Sequence, residues 1–342
     1  MSDFLFEFKL KLEQDNSLTY TYKVIFTKGE NIMHMSDALI TPVVGGVMHL
    51  GSAAITKYSL EKIKIDIQEK IPMMAMMGAF VFAMQMINFA IPGTGSSGHI
   101  GGGILLAIVL GPHAAFLTMG VILLIQSLFF GDGGLLALGC NIINLGFFTS
   151  YVAYPLVYQP LTKNKKFIII ASILTVVFGL QLGSFAVVIE TVLSGRTALP
   201  FKEFLLFMQP IHLAIGLIEG VITAVIVRYL YQSKPDMIFH ADKKPNKILV
   251  TLAVLTLLVA GGLSLHASSS PDGLEWAIEQ TNVIVKDTPS IFTWLQEKFT
   301  LFADYELGGS TTIPGIIGSV ITFGFVVIIG SLVRKKSRKE SE

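Results

Sequence analysis

Charge is scarce in this chain: Asp, Glu, Lys and Arg make up 14% of 342 residues, while 52% are hydrophobic. A single water-soluble core cannot hide that much apolar surface, so the composition is that of an integral membrane protein. Cysteine is nearly absent. With only Cys140 present, an intrachain disulfide and a cysteine-based metal site are both excluded, and its apolar setting makes Cys140 a packed core residue. Enzyme signatures are missing as well: there is no His-Glu-x-x-His pair, no Gly-x-Ser-x-Gly elbow and no Gly-x-x-x-x-Gly-Lys phosphate loop. The chain is therefore not an enzyme of these classes, and any ATP hydrolysis must come from separate subunits. The net charge of +1 hides local asymmetry that points to membrane topology rather than to nucleic-acid binding.

Apolar runs long enough to cross a hydrocarbon layer of ~30 Å, which takes about 20 helical residues, recur from Ile40 to the end. They predict spans at 38 to 56, 71 to 92, 98 to 130, 134 to 158, 167 to 193, 204 to 231, 247 to 266 and 313 to 333. The fold class expected is all-α, a polytopic membrane helix bundle. Basic connections at Lys57 to Lys70, Lys163 to Lys166, Arg228 to Lys247 and Arg334 to Lys339 belong in the cytoplasm by the positive-inside rule. That holds for all four only if the stretch 98 to 130 crosses twice. Gly111-Pro112 supplies the break, because Pro lacks a backbone donor and disfavours helix in the residue before it. The first half is short and needs bilayer thinning or shelter by neighbours. The expectation is seven spans before Lys247 and two after, in a multi-pass cell-membrane protein with a cytoplasmic C-terminus.

Residues 1–32 differ in character. Phe4 to Leu12 alternate apolar and polar like a half-exposed strand, and the stretch lacks the pattern of a signal peptide. We read 1–32 as an upstream extension, because Met33-His34-Met35-Ser36-Asp37 looks like a second beginning. A histidine directly after a free amino terminus is a chelator: amine, deprotonated amide nitrogen and imidazole occupy three corners of a square around Ni(II) or a similar ion. The remaining divisions are 33–235 as a membrane domain, 236–246 as a cytoplasmic linker and 247–342 as a second part with two spans.

The lysine-based topology puts Met33 and the Gly-rich loop Pro92 to His99 on one membrane face. His99 could then close the fourth corner of a site begun by Met33 and His34, or both histidines could cap helix ends. His212 and Glu219 are two turns apart on one helix face, where ionisable groups line a pathway or pair structurally. Asp132, Asn141 and Asn144 could brace the amino-terminal segment from a second layer of hydrogen bonds or lock helices together. His49 reads as packing, His113 as hydrogen bonding, His240 as solvated, and His266 as a weak candidate for metal entry. The outer loop from Ala267 to Thr312 carries Asp272, Glu275, Glu279, Asp287, Glu297, Asp304 and Glu306 and reads as a solvated loop in preference to an acidic vestibule for cations. Small residues Gly45, Gly46, Gly51, Ser52, Ala53 and Ala54 would permit close helix contact with a partner.

Met33 to Leu39, Ser97-Gly98-His99, Gly131 to Leu135 and His212 to Gly220 together resemble the CbiM/NikM family, the substrate-binding membrane subunits of energy-coupling-factor importers for cobalt and nickel. Pro271-Asp272-Gly273-Leu274-Glu275 resembles the PDGLE motif of the small CbiN/NikN-like companion, here fused behind the linker. The resemblance implies that Ni(II) or Co(II) is the transported substrate, held by Met33, His34 and His99. It also implies two cytoplasmic ATPase subunits and a coupling membrane subunit as partners, within a lipid bilayer. An extension of 32 residues would cap the Met33 amine and departs from the family pattern. Other readings of the same residues are a membrane scaffold with structural histidines and a subunit capturing an organic vitamin, the latter needing a pocket of several hundred cubic ångströms.

Overall fold

The computed structural model describes residues 34–63, 67–233, 246–283, 285 and 290–341. Met33, the extension before it and His240 with its charged linker lie outside the described residues. The helices are α1 (Pro42–Ile63), α2 (Ile67–Gln85), α3 (Gly103–Leu110), α4 (Pro112–Ile125), α5 (Leu138–Thr162), α6 (Ile168–Ser194), α7 (Phe201–Ser233), α8 (Asn246–Gly261), α9 (Gly273–Gln280), α10 (Ile291–Phe299) and α11 (Thr312–Ser341). A two-stranded hairpin, β1 (Phe89–Ala90) with β2 (Ser97–Gly98), is the only sheet among them.

Six helices among the described residues are both long and apolar enough to cross a membrane: α4 through its last turn, α5, α6, α7, α8 and α11. Helices α1 and α2 have 22 and 19 residues, enough in length but less apolar. The stretch 98 to 130 breaks where the sequence predicts, at Gly111 with φ of 78°, and Pro112 opens α4 at a position that needs no donor. Its first half is shorter than expected, because Ser97 and Gly98 are strand and helix starts only at Gly103. At about 1.5 Å per residue, the eight residues of α3 reach far less than a bilayer. Neighbours supply the shelter, since Ile104, Leu105, Leu106, Ala107 and Ile108 are all buried.

The bundle has two unlike ends. His34, Gln85, His99, Gln126 and Asn141 meet at one. At the other, His113 lies beside Tyr58 and Tyr151, Lys165 sits over the Tyr231 ring, and Ile71 touches the backbone of α11 at Gly330. The described residues of the basic connections therefore gather away from the histidine pair.

Helices α8 and α11 of the second part pack against α2, and α11 also reaches α4. Phe82, Phe130 and Tyr305 form the aromatic seam between them, with Phe130 stacked on Tyr305 at 4.9 Å between centroids. Gly318 is the point of closest approach, where any Cβ would collide with the Phe82 ring. We expect Gly318→Leu to force α11 off this seam at a cost of about 1–3 kcal/mol, read as a lower melting temperature in detergent. An unchanged melting temperature would show that the second part is not held by this contact.

Candidate functional site

Residues 34–41 do not begin the first helix, contrary to the expected span 38 to 56. They run mainly extended, with one tight turn at Asp37–Leu39, and insert into the bundle so that His34, Met35, Asp37 and Ile40 are buried. The loop Gly131 to Gly134 receives them. Gly134 N–H donates to Met35 O at 3.0 Å, and a Cβ on Gly134 would collide with the Asp37 carboxylate, while one on Gly133 would come within 2.9 Å of the His34 Cβ. Only glycine permits this approach of two backbones. Asn141 brackets Met35, accepting from its N–H and donating to its carbonyl, both at 3.1 Å. Asp132 Oδ1 accepts the His34 backbone N–H at 3.1 Å. Asp132 and Asn141 thus brace the inserted segment.

A row of side-chain amides then fixes the His34 ring. Gln85 Nε2 donates to Gly101 O at 2.8 Å, Gln126 Nε2 donates to Gln85 Oε1 at 2.8 Å, and Gln126 Oε1 faces His34 Nε2 at 3.0 Å. A backbone carbonyl can only accept, so each amide in turn is oriented and His34 Nε2 must carry the hydrogen. Its Nδ1 is left with a lone pair.

His99 is fixed from the far end of the chain. Its Nδ1 meets Asp272 Oδ1 at 3.1 Å; the carboxylate only accepts, so Nε2 is the nitrogen left over. The Asp272 segment extends the hairpin edge: Ser97 N–H donates to Pro271 O at 2.8 Å, Ser97 Oγ to Ser270 O at 2.7 Å, and Trp276 Nε1 to Thr94 O at 3.0 Å. Asp272 also caps α9 in a capping box with Glu275. A solvated outer loop was the expectation for these acids. Glu279, Glu297 and Glu306 are exposed, but Asp272 is 4% exposed, because it serves His99 rather than water.

The two imidazoles lie 5.2 Å apart at 79° beside a cavity of about 70 Å³ lined by His34, His99, Asn141, Asn144, His212 and Asp272. Burial lowers the His34 imidazole below its ordinary value, with the Asp132 charge opposing. Burial also acts to lower His99, but the charge and hydrogen bond of Asp272 carry it above its ordinary value. Among the described residues, no group of three or more His, Cys, Asp or Glu is arranged to hold a metal ion. The donors at hand are the two ring nitrogens and the backbone at His34.

His212 and Glu219 do not pair. His212 Nδ1 donates to Met208 O at 2.8 Å, and Glu219 Oε1 accepts the Gly102 N–H at 2.9 Å, so Glu219 tethers the loop that carries His99. Asn144 lines the cavity but donates to Glu190 Oε2 at 2.8 Å, locking α5 to α6 rather than bracing the inserted segment. His49 and His113 bond Gly45 O and the Tyr151 hydroxyl, each through Nδ1. His266 is exposed and Cys140 buried. Sequence reasoning missed Gln85, although an amide alone in an apolar helix was a usable signal. It also missed Tyr305, whose hydroxyl donates to Asp132 Oδ2 at 2.5 Å; its setting in a polar loop gave no signal.

Residues 34–237 match the family described as a cobalt uptake substrate-specific transmembrane region, and residues 246–335 match the PDGLE domain. A relative in Archaeoglobus fulgidus named as a fused nickel transport protein, NikMN, is 32% identical over 84% of this chain and 95% of its own length. One in Lactiplantibacillus plantarum, named as a fused nickel transport protein, LarMN, is 28% identical over 87% and 96%. A crystal structure of a transition metal transporter aligns with a TM-score of 0.54 at 31% identity, covering 61% of this chain and 96% of that one.

The Asp272 contact makes a titration prediction. In NMR of imidazole-labelled protein, His99 should titrate above 6.5 and His34 below it. The His99–Asp272 attraction is fully present below the ordinary imidazole value and is lost as pH rises through the raised one. Asp272→Asn should bring His99 down, and a titration with the two histidines in reverse order would contradict the pairing.

Proposed function

Because the chain belongs to the CbiM/NikM family of cobalt and nickel transport membrane proteins, with a PDGLE domain behind it, we propose that it is the substrate-capture subunit of an energy-coupling-factor importer for Ni(II) or Co(II). The observation that carries this reading is the convergence of His34 and His99, 65 positions apart in sequence, with rings 5.2 Å from one another and outer nitrogens already committed to Gln126 and Asp272. Histidines that ligate metals typically have their second nitrogen held in this way. Their remaining nitrogens, His34 Nδ1 and His99 Nε2, are the ligands in this proposal, with the His34 amide nitrogen and the Met33 amine as the other two corners.

The chain's own residues account for the preparation of the site. The amide row from Gly101 sets the His34 tautomer before any ion arrives, so capture needs no ring flip. Gly133 and Gly134 let the backbone sit deep enough for its amide to act as a ligand, and Asp132 Oδ1 is the nearest acceptor for the hydrogen that amide must lose. The cavity of about 70 Å³ suits an ion and its immediate ligands, whereas organic ligands take about 300 Å³ or more; this favours metal over a vitamin. In the proposed orientation the basic connections face the cytoplasm and the histidine end faces outward. Two ATPase subunits and a coupling membrane subunit would supply the energy.

Intact-mass spectrometry of the purified protein with equimolar Ni(II) or Co(II) tests this directly. A chain beginning at Met33 and retaining one ion is expected; a chain beginning at Met1 with no ion would sink the proposed site. His34→Ala and His99→Ala should abolish retention and cellular uptake, and uptake unchanged in His34→Ala would favour the scaffold reading. Asp272→Ala and Gln85→Leu, which remove support of the outer nitrogens and no proposed ligand atom, should weaken binding about 10–100-fold without abolishing it. Equal affinity in all four variants would place the metal elsewhere.

A further inference from the structure

Helix α10 has one face fastened to the bundle and one face bare. On the fastened face, Gln296 Nε2 donates to Ser127 O at 3.0 Å and to Gly133 O at 2.7 Å, tying the helix to the end of the α4 span and to the loop that receives His34. Directly after it, the Leu301 and Phe302 N–H groups donate to Phe129 O at 2.8 and 3.1 Å. The bare face carries Ile291, Trp294 and Phe299, with Leu301 following, and these are 45–61% exposed. A water-facing loop has no reason to hold four large apolar side chains in that state.

The level at which α10 is fastened says what covers it. Gly318 of α11 lies against Phe130, six residues inside the span that begins at Thr312, or about 9 Å along the helix axis. Phe129 packs edge-on against Phe325 of the same span at 6.1 Å. The α11 span beside this attachment turns Val320 outward, 63% exposed as a lipid-facing residue is. Lys298 places its Nζ over the Trp294 ring at 5.2 Å, joining a long charged chain to an aromatic at the edge of the apolar patch. Trp at the headgroup level and Lys reaching back toward water are the pairing that bilayer interfaces favour.

We propose that α10 lies in the plane of the membrane on the histidine side of the bundle, with Ile291, Trp294, Phe299 and Leu301 seated in the boundary between headgroups and acyl chains. Its occupant is the phospholipid leaflet itself. Amphipathic helices of this kind insert their apolar face about 5–10 Å below the headgroups, and α10 is fastened at Ser127 and Gly133, at the end of the α4 span rather than beyond it. Gln296 then makes the same helix a buttress of the Gly131 to Gly134 loop.

The chain has two tryptophans, so the test is direct. Trp294 emission is isolated in the Trp276→Phe variant, or as the difference between wild type and Trp294→Phe should that variant fail to fold. The protein alone is placed in nanodiscs of phosphatidylcholine brominated near the headgroup end of the acyl chain. We expect bromine to quench Trp294 emission strongly, as for an indole seated at the headgroup–acyl boundary, while aqueous iodide quenches it weakly. Strong iodide quenching with no bromine effect would put α10 in water and overturn the proposal. Protection from both quenchers, with a second copy in the same disc, would assign the face to protein and overturn it equally.

Discussion

The site depends on one acceptor that cannot become a donor. Gly101 O receives the Gln85 amide, and from that fixed point the polarity of every bond to the His34 ring follows. Buried amides in an apolar bundle have few other partners, and each reversed bond would leave two groups facing like for like. Such a fault costs on the order of 1–3 kcal/mol for each unsatisfied group, enough to hold the imidazole in one tautomer nearly all the time. Glu219 holds the other end of the same peptide group through the Gly102 N–H. The loop after His99 is thus gripped at both ends of the single Gly101–Gly102 peptide unit by α2 and α7, and the position of both rings is referred to the same stretch of backbone.

The second part of the chain reaches the site at two points far apart in sequence. Asp272 holds the outer nitrogen of His99, and Tyr305 holds the second oxygen of Asp132, whose first oxygen faces the His34 amide. Met35, Leu39, Cys140, Phe204, Met208, Leu274 and Ile278 share one apolar cluster, so the inserted segment and α9 are buried against the same residues. Neither the two halves of the chain nor the two rings are arranged independently.

Much of this was legible in the sequence. The break at Gly111-Pro112, the common end for His34 and His99 and the gathering of basic connections at the opposite end all follow from lysine placement and helix-breaking residues. Asp132, Asn141 and Asn144 stood out as polar residues flanking Gly-Asp-Gly-Gly that would either brace the amino-terminal segment or lock helices, and the first two do the former while Asn144 does the latter. The start of α1 was placed too early because residues 38–41 are apolar enough to be helix, and apolar content cannot distinguish a helix from an inserted extended segment. Asp272 was read as solvated for a related reason: hydropathy records the residue type, whereas its burial depends on a partner 173 positions away. The role of Gln85 required knowing which carbonyl it meets, which periodicity does not report.

The peptide connection between the two parts has a thermodynamic consequence. The second part meets the first along α8 and α11, through the aromatic seam of Phe82, Phe130 and Tyr305, and through the hydrogen bonds of Ser97, Thr94 and His99 to the PDGLE segment. Tethering converts that encounter into an intramolecular one, with an effective concentration on the order of millimolar for a short linker. Asp272 and Tyr305 are thereby presented to His99 and Asp132 at any dilution, without a second chain having to be captured first.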